Sequence, residues 1–409
     1  MSPSPAVALA DARLERPAVE ELLARARSFR AELLAAGART ESERRVSSEV
    51  MDRLTDAGLT LISRSKIYGG YGCGPSMLVR LGYELGQGCG STAWCANLAN
   101  CNSWFASYWP KEAQDEIWQK TPRNMVVGTV LPTGKCETAP GGFKIWGLWP
   151  FASNCDNSQW AFVAANVPEV NGRQPSVCWF LLPTTELSID QKSWVVSGMQ
   201  GTGSKTLVAH EPVFVPAHRV IYYDDIAERK TPGFAVPGNT PAGFAFSTFG
   251  ATALAGPILG MAQGALNLFI AATREKLRLT MRPGMTVPAG QSPFVQERIG
   301  RSQAMIRAAL ASLVQTLEGV EAKIFAGEAP SLDDRILVRA AIVASVRQAV
   351  DATNAFVEAA GAAAADSTLP LQRFWRDINA ASRHVSFDAP AAFSMSGQHL
   401  LGLQPLGTH

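Results

Sequence analysis

The sequence predicts an α+β fold in which one block of strands sits between two helical blocks. Two observations carry that prediction. Apolar residues recur at three- and four-residue spacing up to about residue 123. They then alternate between Gly, Pro and Asn turns over 124–231, and return to helical spacing over 232–409. The second observation is composition: 409 residues, 47% hydrophobic and 18% charged, suit a folded chain with ample length for a core. The expected division is an N-terminal helical domain (1–123), a middle β-barrel or sandwich (124–231) and a C-terminal helical bundle (232–409).

Taken in order, residues 1–17 are rich in Pro and Ala and are expected to be loose. From Val19 to Ala36, Leu22, Leu23, Ala26, Phe29 and Leu33 line one face of an amphipathic helix. Ser42–Ala57 reads as a second helix, capped by Ser-Glu-Arg-Arg and stopped at Gly58. The glycines at 69–74 form a turn into a third helix, Ser76–Gln87. They do not match a dinucleotide fingerprint, and no strand precedes them. Ser91 is expected to cap a fourth helix, Ser91–Tyr108, and Lys111–Lys120 is a short fifth. Strands are predicted over Met125–Leu131, in the stretch opening at Gly142, and over Gln159–Ala165, Val177–Leu182, Leu187–Asp190 and Thr206–Phe214. Long helices then occupy 243–280, 293–327, 332–361 and 370–384.

Several function classes are disfavoured early. A net charge of +2 with no basic block argues against a nucleic-acid surface. The first residues lack the basic and apolar regions of a secretory leader, so a cytoplasmic protein is expected. The seven Cys include no Cys-x-x-Cys pair, and Cys89, Cys95 and Cys101 fall six apart, which matches no zinc spacing. Buried free thiols are therefore expected, with no metal site. Phe244–Thr273 carries no charge and is long enough to span a bilayer, yet Gly250, Gly256, Gly260 and Gly264 suit a helix packed tightly among others.

Three places invite chemistry. Between Gly142 and Trp160 lie three of the ten Trp, with Phe143, Ile145 and Gly147 alternating against Lys144 and Trp146. The strand is expected to break at Trp149-Pro150 into a polar turn that sets Ser153 beside aromatic faces. That suits a flat heteroaromatic ligand, and equally a Trp-rich hairpin. Gly198-Met-Gln-Gly-Thr-Gly-Ser-Lys-Thr resembles a phosphate loop, but Lys is misplaced and a strand follows, so a nucleotide triphosphatase is rejected. Thr202 and Ser204 in that turn remain able to grip a polar group. Of the five His, His210 and His218 read as structural, whereas His384 closes the helix 370–384, where a charged imidazole titrating near neutrality is expected.

The order of blocks resembles the acyl-CoA dehydrogenase fold over nearly all of residues 18–400. Within it, five stretches resemble the flavin-dependent monooxygenases of two-component systems, such as phenol hydroxylases, dibenzothiophene monooxygenase and nitrososynthases. They are Gly90-Ser-Thr-Ala-Trp94, Trp149-Pro-Phe-Ala-Ser153 with Trp160, Trp194 with Gly201-Thr-Gly-Ser-Lys205, Val215-Pro216, and Pro370-Leu-Gln-Arg-Phe-Trp-Arg-Asp377 with His384. Dehydrogenase relatives carry a Glu base after the last of these stretches. Ser382-Arg-His384 stands there instead, which favours the monooxygenase branch.

The resemblance implies reduced FMN or FAD delivered by a separate reductase, O2 reacting at the flavin C4a, and a small aromatic or polycyclic substrate. It also implies a homotetramer built through the C-terminal bundle. Ser153 matches the residue that hydrogen-bonds near flavin N5, and His384 the one that handles a proton at the reacting centre. Trp149 and Phe151 are expected to wall the ring, with Thr202 and Ser204 on its flavin side. Arg274, or else Arg278 or Arg282, is expected to reach a flavin phosphate of a neighbouring subunit. Trp94, Asn102 and Asn157 are expected on the substrate side. Asn102 stands where phenol hydroxylases tend to carry a His, and Asp156-Asn157 where many have Asp-His. These departures keep an N- or S-oxygenase open as a rival, beside an acyl-CoA dehydrogenase-like oxidase.

Overall fold

A computed structural model describes residues 16–170, 172–238, 245–279 and 285–407. The N-terminal helices are α1 (Arg16–Ser28), α2 (Arg30–Ser42), α3 (Ser48–Asp56), α4 (Pro75–Gly86), α5 (Gly90–Ala106) and α6 (Lys111–Trp118). Helical backbone thus continues past Ala36 to Ser42. The second cap is Ser47, whose hydroxyl accepts the Val50 N–H, rather than Ser42. Helix α5 starts after Cys89 with no side-chain cap, so Ser91 lies inside it.

Eight strands follow: β1 (Val126–Gly128), β2 (Lys135–Ala139), β3 (Gly142–Ala152), β4 (Trp160–Val167), β5 (Ser176–Pro183), β6 (Ser188–Asp190), β7 (Lys205–Pro216) and β8 (Val220–Tyr222). They form two four-stranded sheets, ordered β1-β4-β5-β8 and β2-β3-β7-β6. All pairings are antiparallel except β1 with β4. Phe143, Ile145, Trp149, Phe180, Leu207 and Val215 share one buried cluster within these strands. The alternation predicted for β3 holds at its start, where Phe143 and Ile145 are buried and Lys144 is exposed; Trp146 and Gly147 are both half-buried, and Trp149 turns inward. The strand does not break at Pro150. It runs to Ala152 through a register shift between Trp149 and Ala152, where a proline with no N–H can be tolerated. Sequence reading missed the short β2 and β8, too brief for their alternation to show.

After the short α7 (Tyr223–Ala227) come α8 (Phe246–Glu275), a hairpin of β9 (Leu277–Leu279) and β10 (Thr286–Pro288), α9 (Pro293–Phe325), α10 (Leu332–Ala360), α11 (Pro370–Ala381) and α12 (Ala389–Leu400). Helix α8 therefore stops at Glu275, not 280. Helix α11 stops at Ala381, three residues short of His384. Helix α12 went unread because its apolar positions show little periodicity. Residues 249–275 are long and apolar enough to cross a membrane, with mean hydropathy 1.5, but 83% of that window is buried inside the fold.

Helix α8 is the axis of the helical part. A Cβ on Gly256 would stand 2.6 Å from the Val79 carbonyl oxygen, and one on Gly260 would stand 2.6 Å from that of Tyr83. The two glycines thus let α8 and α4 meet backbone to backbone. Pro257 offers no N–H to the carbonyl four residues earlier, that of Ala253. Asn97 on α5 supplies the missing donor: its Nδ2 lies 2.7 Å from Ala253 O and 2.9 Å from Leu78 O. One fully buried amide therefore ties three helices, and residues from both helical blocks share a single core. Asn97→Ala should lower the unfolding free energy by about 2–4 kcal/mol, because two buried carbonyls lose their donor. Chemical denaturation with an unchanged slope would measure this; a loss under about 1 kcal/mol would mean that water or backbone shifts fill the gap.

Candidate functional site

The site is built around the loop 197–204, wedged between the sheets and helices from both ends of the chain. Gly201 lies so close to α2 and α5 that a Cβ would stand 2.5 Å from the Thr40 methyl and 3.0 Å from Ser91 Cβ. The Cys95 thiol donates to the Thr202 carbonyl (3.5 Å). From the other end of the chain, the Asp377 carboxylate on α11 accepts the Met199 N–H at 2.5 Å. Arg376 donates to the Ser197 carbonyl (2.8 Å) and pairs with Glu41 on α2. Asp377 is buried, which raises its pKa to about 6, while the Met199 N–H pulls it back down.

This clamp holds three buried hydroxyls in line. Thr202 Oγ1 donates to the Met199 carbonyl (2.8 Å), Ser204 Oγ lies 2.7 Å from Thr202 Oγ1, and Ser153 Oγ lies 2.6 Å from Ser204 Oγ. Ser153, Thr202 and Ser204, named from sequence, are thus brought into one chain. Beside it the backbone is strained. Among the described residues five non-glycines have left-handed φ, and three of them, Phe151 (65°), Asn154 (66°) and Met199 (57°), border this chain. Such conformations persist where the surroundings over-determine them, as functional sites do. Phe151 is 61% exposed and meets Trp194 edge to face at 6.2 Å, so a strained residue presents an aromatic face outward next to a buried hydroxyl.

Several expected roles need correction. Trp149 is fully buried between the sheets and donates Nε1 to the Ala164 carbonyl at 2.8 Å, so it walls no ligand. Asn102 donates to the Val126 carbonyl (3.0 Å), joining α5 to β1. Asn157 donates to the Val46 carbonyl (3.0 Å) and to Asn154 Oδ1 (3.0 Å). Both amide nitrogens hold the scaffold rather than a substrate. Asp156, next to Asn157, is committed to a buried ion pair with Lys205 at 2.6 Å, with Gln191 bridging the two. Arg274 is exposed in the last turn of α8, and none of the contacts holding the 197–204 loop involves it. The Arg278 side chain and all of Arg282 lie outside the described residues. All seven Cys are free, five buried and Cys73 and Cys136 half-buried.

His384 differs most from expectation. It does not close α11 but caps the turn Val385–Phe387, its Nδ1 accepting the Ser386 N–H at 3.2 Å. Protein atoms crowd the ring and the Arg339 charge lies nearby, so its pKa is pushed down to about 4, not toward a charged form. By solvent accessibility His384 is nonetheless an exposed residue, so solvent screens the shift and its downward direction is what stands. At neutral pH the ring is uncharged, and with Nδ1 accepting, its hydrogen sits on Nε2. Trp94, buried on α5, meets the ring edge to face at 6.0 Å. Sequence reading gave no role to Asp377 or Arg339. Asp377 did leave a signal, since an acid falls on the apolar stripe of Phe374, Ile378 and Ala381.

This geometry can be set beside known proteins. The family model "Acyl-CoA dehydrogenase, N-terminal domain" matches residues 16–120 and "Acyl-CoA dehydrogenase, C-terminal domain" matches 252–389. An FADH2-dependent resorcinol hydroxylase, oxygenase component, from Rhizobium sp. is 34% identical over 93% of this chain and 94% of its own. The crystal structure of 3-HSA hydroxylase from Rhodococcus sp. RHA1 superposes with a TM-score of 0.87 at 28% identity, covering 95% of this chain and 98% of that one. XiaF from Streptomyces sp., in complex with FADH2 and glycerol, gives 0.86 at 25% identity over 96% and 98%. The fold is thus that of the acyl-CoA dehydrogenases. Within it, the chain belongs to the family of flavin-dependent monooxygenase oxygenase components, and is an oxidoreductase.

The residues present fit a flavin: an outward aromatic face and a buried hydroxyl chain ending at Ser153 are what a flat ring with polar edge atoms needs. Phe151→Gly should hold or raise the melting temperature, since Gly takes φ of +65° without strain. The same variant should bind reduced flavin about tenfold more weakly, measured by anaerobic titration, because the aromatic wall is lost. Unchanged affinity would remove Phe151 from the ring's surroundings.

Proposed function

We propose that the chain hydroxylates a phenol-like small aromatic molecule. Reduced FMN or FAD, formed by a separate reductase, supplies the oxygenating chemistry with O2. The chain's own residues bind, orient and exclude water. Phe151, Thr202, Ser204 and Ser153 make the flavin side, with Ser153 nearest N5. Trp94 and His384 make the substrate side. Arg274 is assigned to a flavin phosphate of a neighbouring subunit in a homotetramer formed through the 232–409 bundle, and the cytoplasm is the proposed compartment.

The observation that carries this reading is the geometry around His384: Nδ1 accepts the Ser386 N–H at 3.2 Å, which leaves Nε2 free to donate, and the ring meets Trp94 edge to face at 6.0 Å. A phenol attacks best as its anion. A neutral ring donating Nε2–H, with the Arg339 cation nearby, favours an anionic oxygen beside Trp94. The resorcinol hydroxylase relative acts, by its name, on such a molecule. The N- or S-oxygenase rival rested on Asn standing at 102 and 157 where phenol hydroxylases tend to carry His; here both side chains donate to scaffold carbonyls, those of Val126 and Val46, which leaves His384 as the imidazole beside Trp94.

The direct test supplies reductase-generated FADH2 or FMNH2, 18O2 and a panel of substituted phenols. A hydroxylated product with one 18O is expected. Hydrogen peroxide alone with every phenol, together with product from a sulfide or amine, would overturn the reading.

His384 yields a second prediction. His384→Gln keeps a donor and should retain most product per flavin consumed, while His384→Ala should lose about 10²-fold. Equal loss in both would make the ring a base instead. The pH sign follows from a folded pKa of about 4, below the ordinary 6.5. The unfolded chain binds the proton first, so the stability His384 contributes is full above pH 6.5 and fades as pH falls toward 4. Substrate coupling should accordingly be level down to about pH 5 and fall below it.

A further inference from the structure

We propose that Ser153, Ser204 and Thr202 form a one-way hydrogen-bond chain that makes Ser153 Oγ an obligate acceptor, so that the site selects reduced flavin over oxidised flavin. This rests on the reading above that Ser153 faces flavin N5. In the reduced ring N5 carries a hydrogen, whereas in the oxidised ring it offers only a lone pair.

The direction of the chain follows from counting hydrogens. A hydroxyl has one to give. Thr202 Oγ1 lies 2.8 Å from the Met199 carbonyl, which can only accept, so the Thr202 hydrogen is committed there. Ser204, 2.7 Å from Thr202 Oγ1, must then be the donor in that pair. Ser153, 2.6 Å from Ser204, must in turn donate to it. What Ser153 has left for a ligand is lone pairs. Water does not readily rewrite this order, because Ser153, Thr202 and Ser204 are 8%, 2% and 6% exposed.

The anchor is equally fixed. Met199 is held left-handed, its N–H taken by Asp377, and its carbonyl also receives the Thr202 N–H (3.2 Å) and Trp194 Nε1 (3.3 Å). Reversing the chain would pull the Thr202 hydrogen off that carbonyl, removing its shortest bond. An oxidised ring must therefore either force that reversal or face Ser153 lone pair to lone pair. Thr202 and Ser204 are positioning residues: they act on the flavin only through Ser153. Their effect would be capture of reduced flavin from a pool containing both forms, and release of the oxidised ring after turnover.

The test is anaerobic equilibrium binding of reduced and of oxidised flavin to the full chain, read as the ratio of the two dissociation constants. The wild type should favour the reduced form. Ser204→Ala removes the acceptor of the Ser153 hydrogen, and Thr202→Val lets Ser204 donate to Ser153 instead, so in each the Ser153 hydrogen can turn toward a lone pair. Each should cut the ratio about fivefold or more by holding or improving oxidised binding, as one neutral hydrogen bond allows. Thr202→Ser should restore it. Ser153→Ala should cut the ratio differently, by weakening reduced binding. If the ratio stays put in Thr202→Val and Ser204→Ala while Ser153→Ala moves it, the one-way chain is wrong and the flavin-facing reading stands. If Ser153→Ala moves neither constant, Ser153 does not face N5 and both ideas fall.

Discussion

The hydrogen bond from the Met199 N–H to Asp377 is the contact on which the site depends. It joins α11, near the end of the chain, to the loop that leads into β7. Together with the Thr202 N–H and Trp194 Nε1 on its carbonyl, it fixes a left-handed methionine, and that carbonyl sets the orientation of three hydroxyls. The carboxylate costs stability through its burial, and its raised pKa records that cost. Arg376 offsets part of this by binding Glu41 and the Ser197 carbonyl on the loop itself. The site is therefore made by the chain's two helical ends closing on one loop of the sheets, not by either alone.

That closure requires the helices to stand where they do, and the α8 crossing provides it. Glycine at 256 and 260 brings α8 against α4, while Asn97 from α5 repairs the carbonyl orphaned by Pro257. Helix α5 also carries Trp94, the neighbour of His384, and Cys95, whose thiol meets the Thr202 carbonyl. A shift of α5 along α8 would move Trp94, against His384, and Cys95, against the 197–204 loop, together. Packing far from the chemistry thus sets its geometry to within the tolerance such sites need.

Much of this was legible in the sequence, in the parts where periodicity is strong. The block order, the buried α8 and the inward positions Phe143 and Ile145 follow from spacing, and the turns that hold Ser153, Thr202 and Ser204 stand out in the sequence. What failed was whatever depends on a partner distant in sequence. Trp149 looked like a wall because a Trp before Pro-Phe-Ala-Ser reads as exposed, but strand β3 continues through a bulge and turns it into the core. Asn102 and Asn157 are assigned to a substrate through the resemblance alone, and the carbonyls of Val126 and Val46 that they bond are invisible to spacing. His384 reads as closing a helix because the apolar pattern fades gradually, whereas the helix ends at Ala381, and protein atoms around the ring with the Arg339 charge push its pKa down instead of up.

Ser153 and His384 have opposite hydrogen-bond polarity, and in each case a backbone group sets it, directly at His384 and through the Thr202 and Ser204 hydroxyls at Ser153. At one end a carbonyl, that of Met199, draws the hydroxyl hydrogens inward and leaves Ser153 accepting. At the other an amide N–H, that of Ser386, occupies His384 Nδ1 and leaves Nε2 donating. A ligand ring edge carrying N–H suits the first, and an oxygen carrying negative charge suits the second. Swapping serine for threonine at 153, or histidine for glutamine at 384, would leave this polarity in place, because the Met199 carbonyl and the Ser386 N–H that impose it belong to the main chain. The direction of hydrogen bonding at these two positions therefore depends on the backbone of the loop 197–204 and of the turn 385–387 as well as on the side chains that stand there.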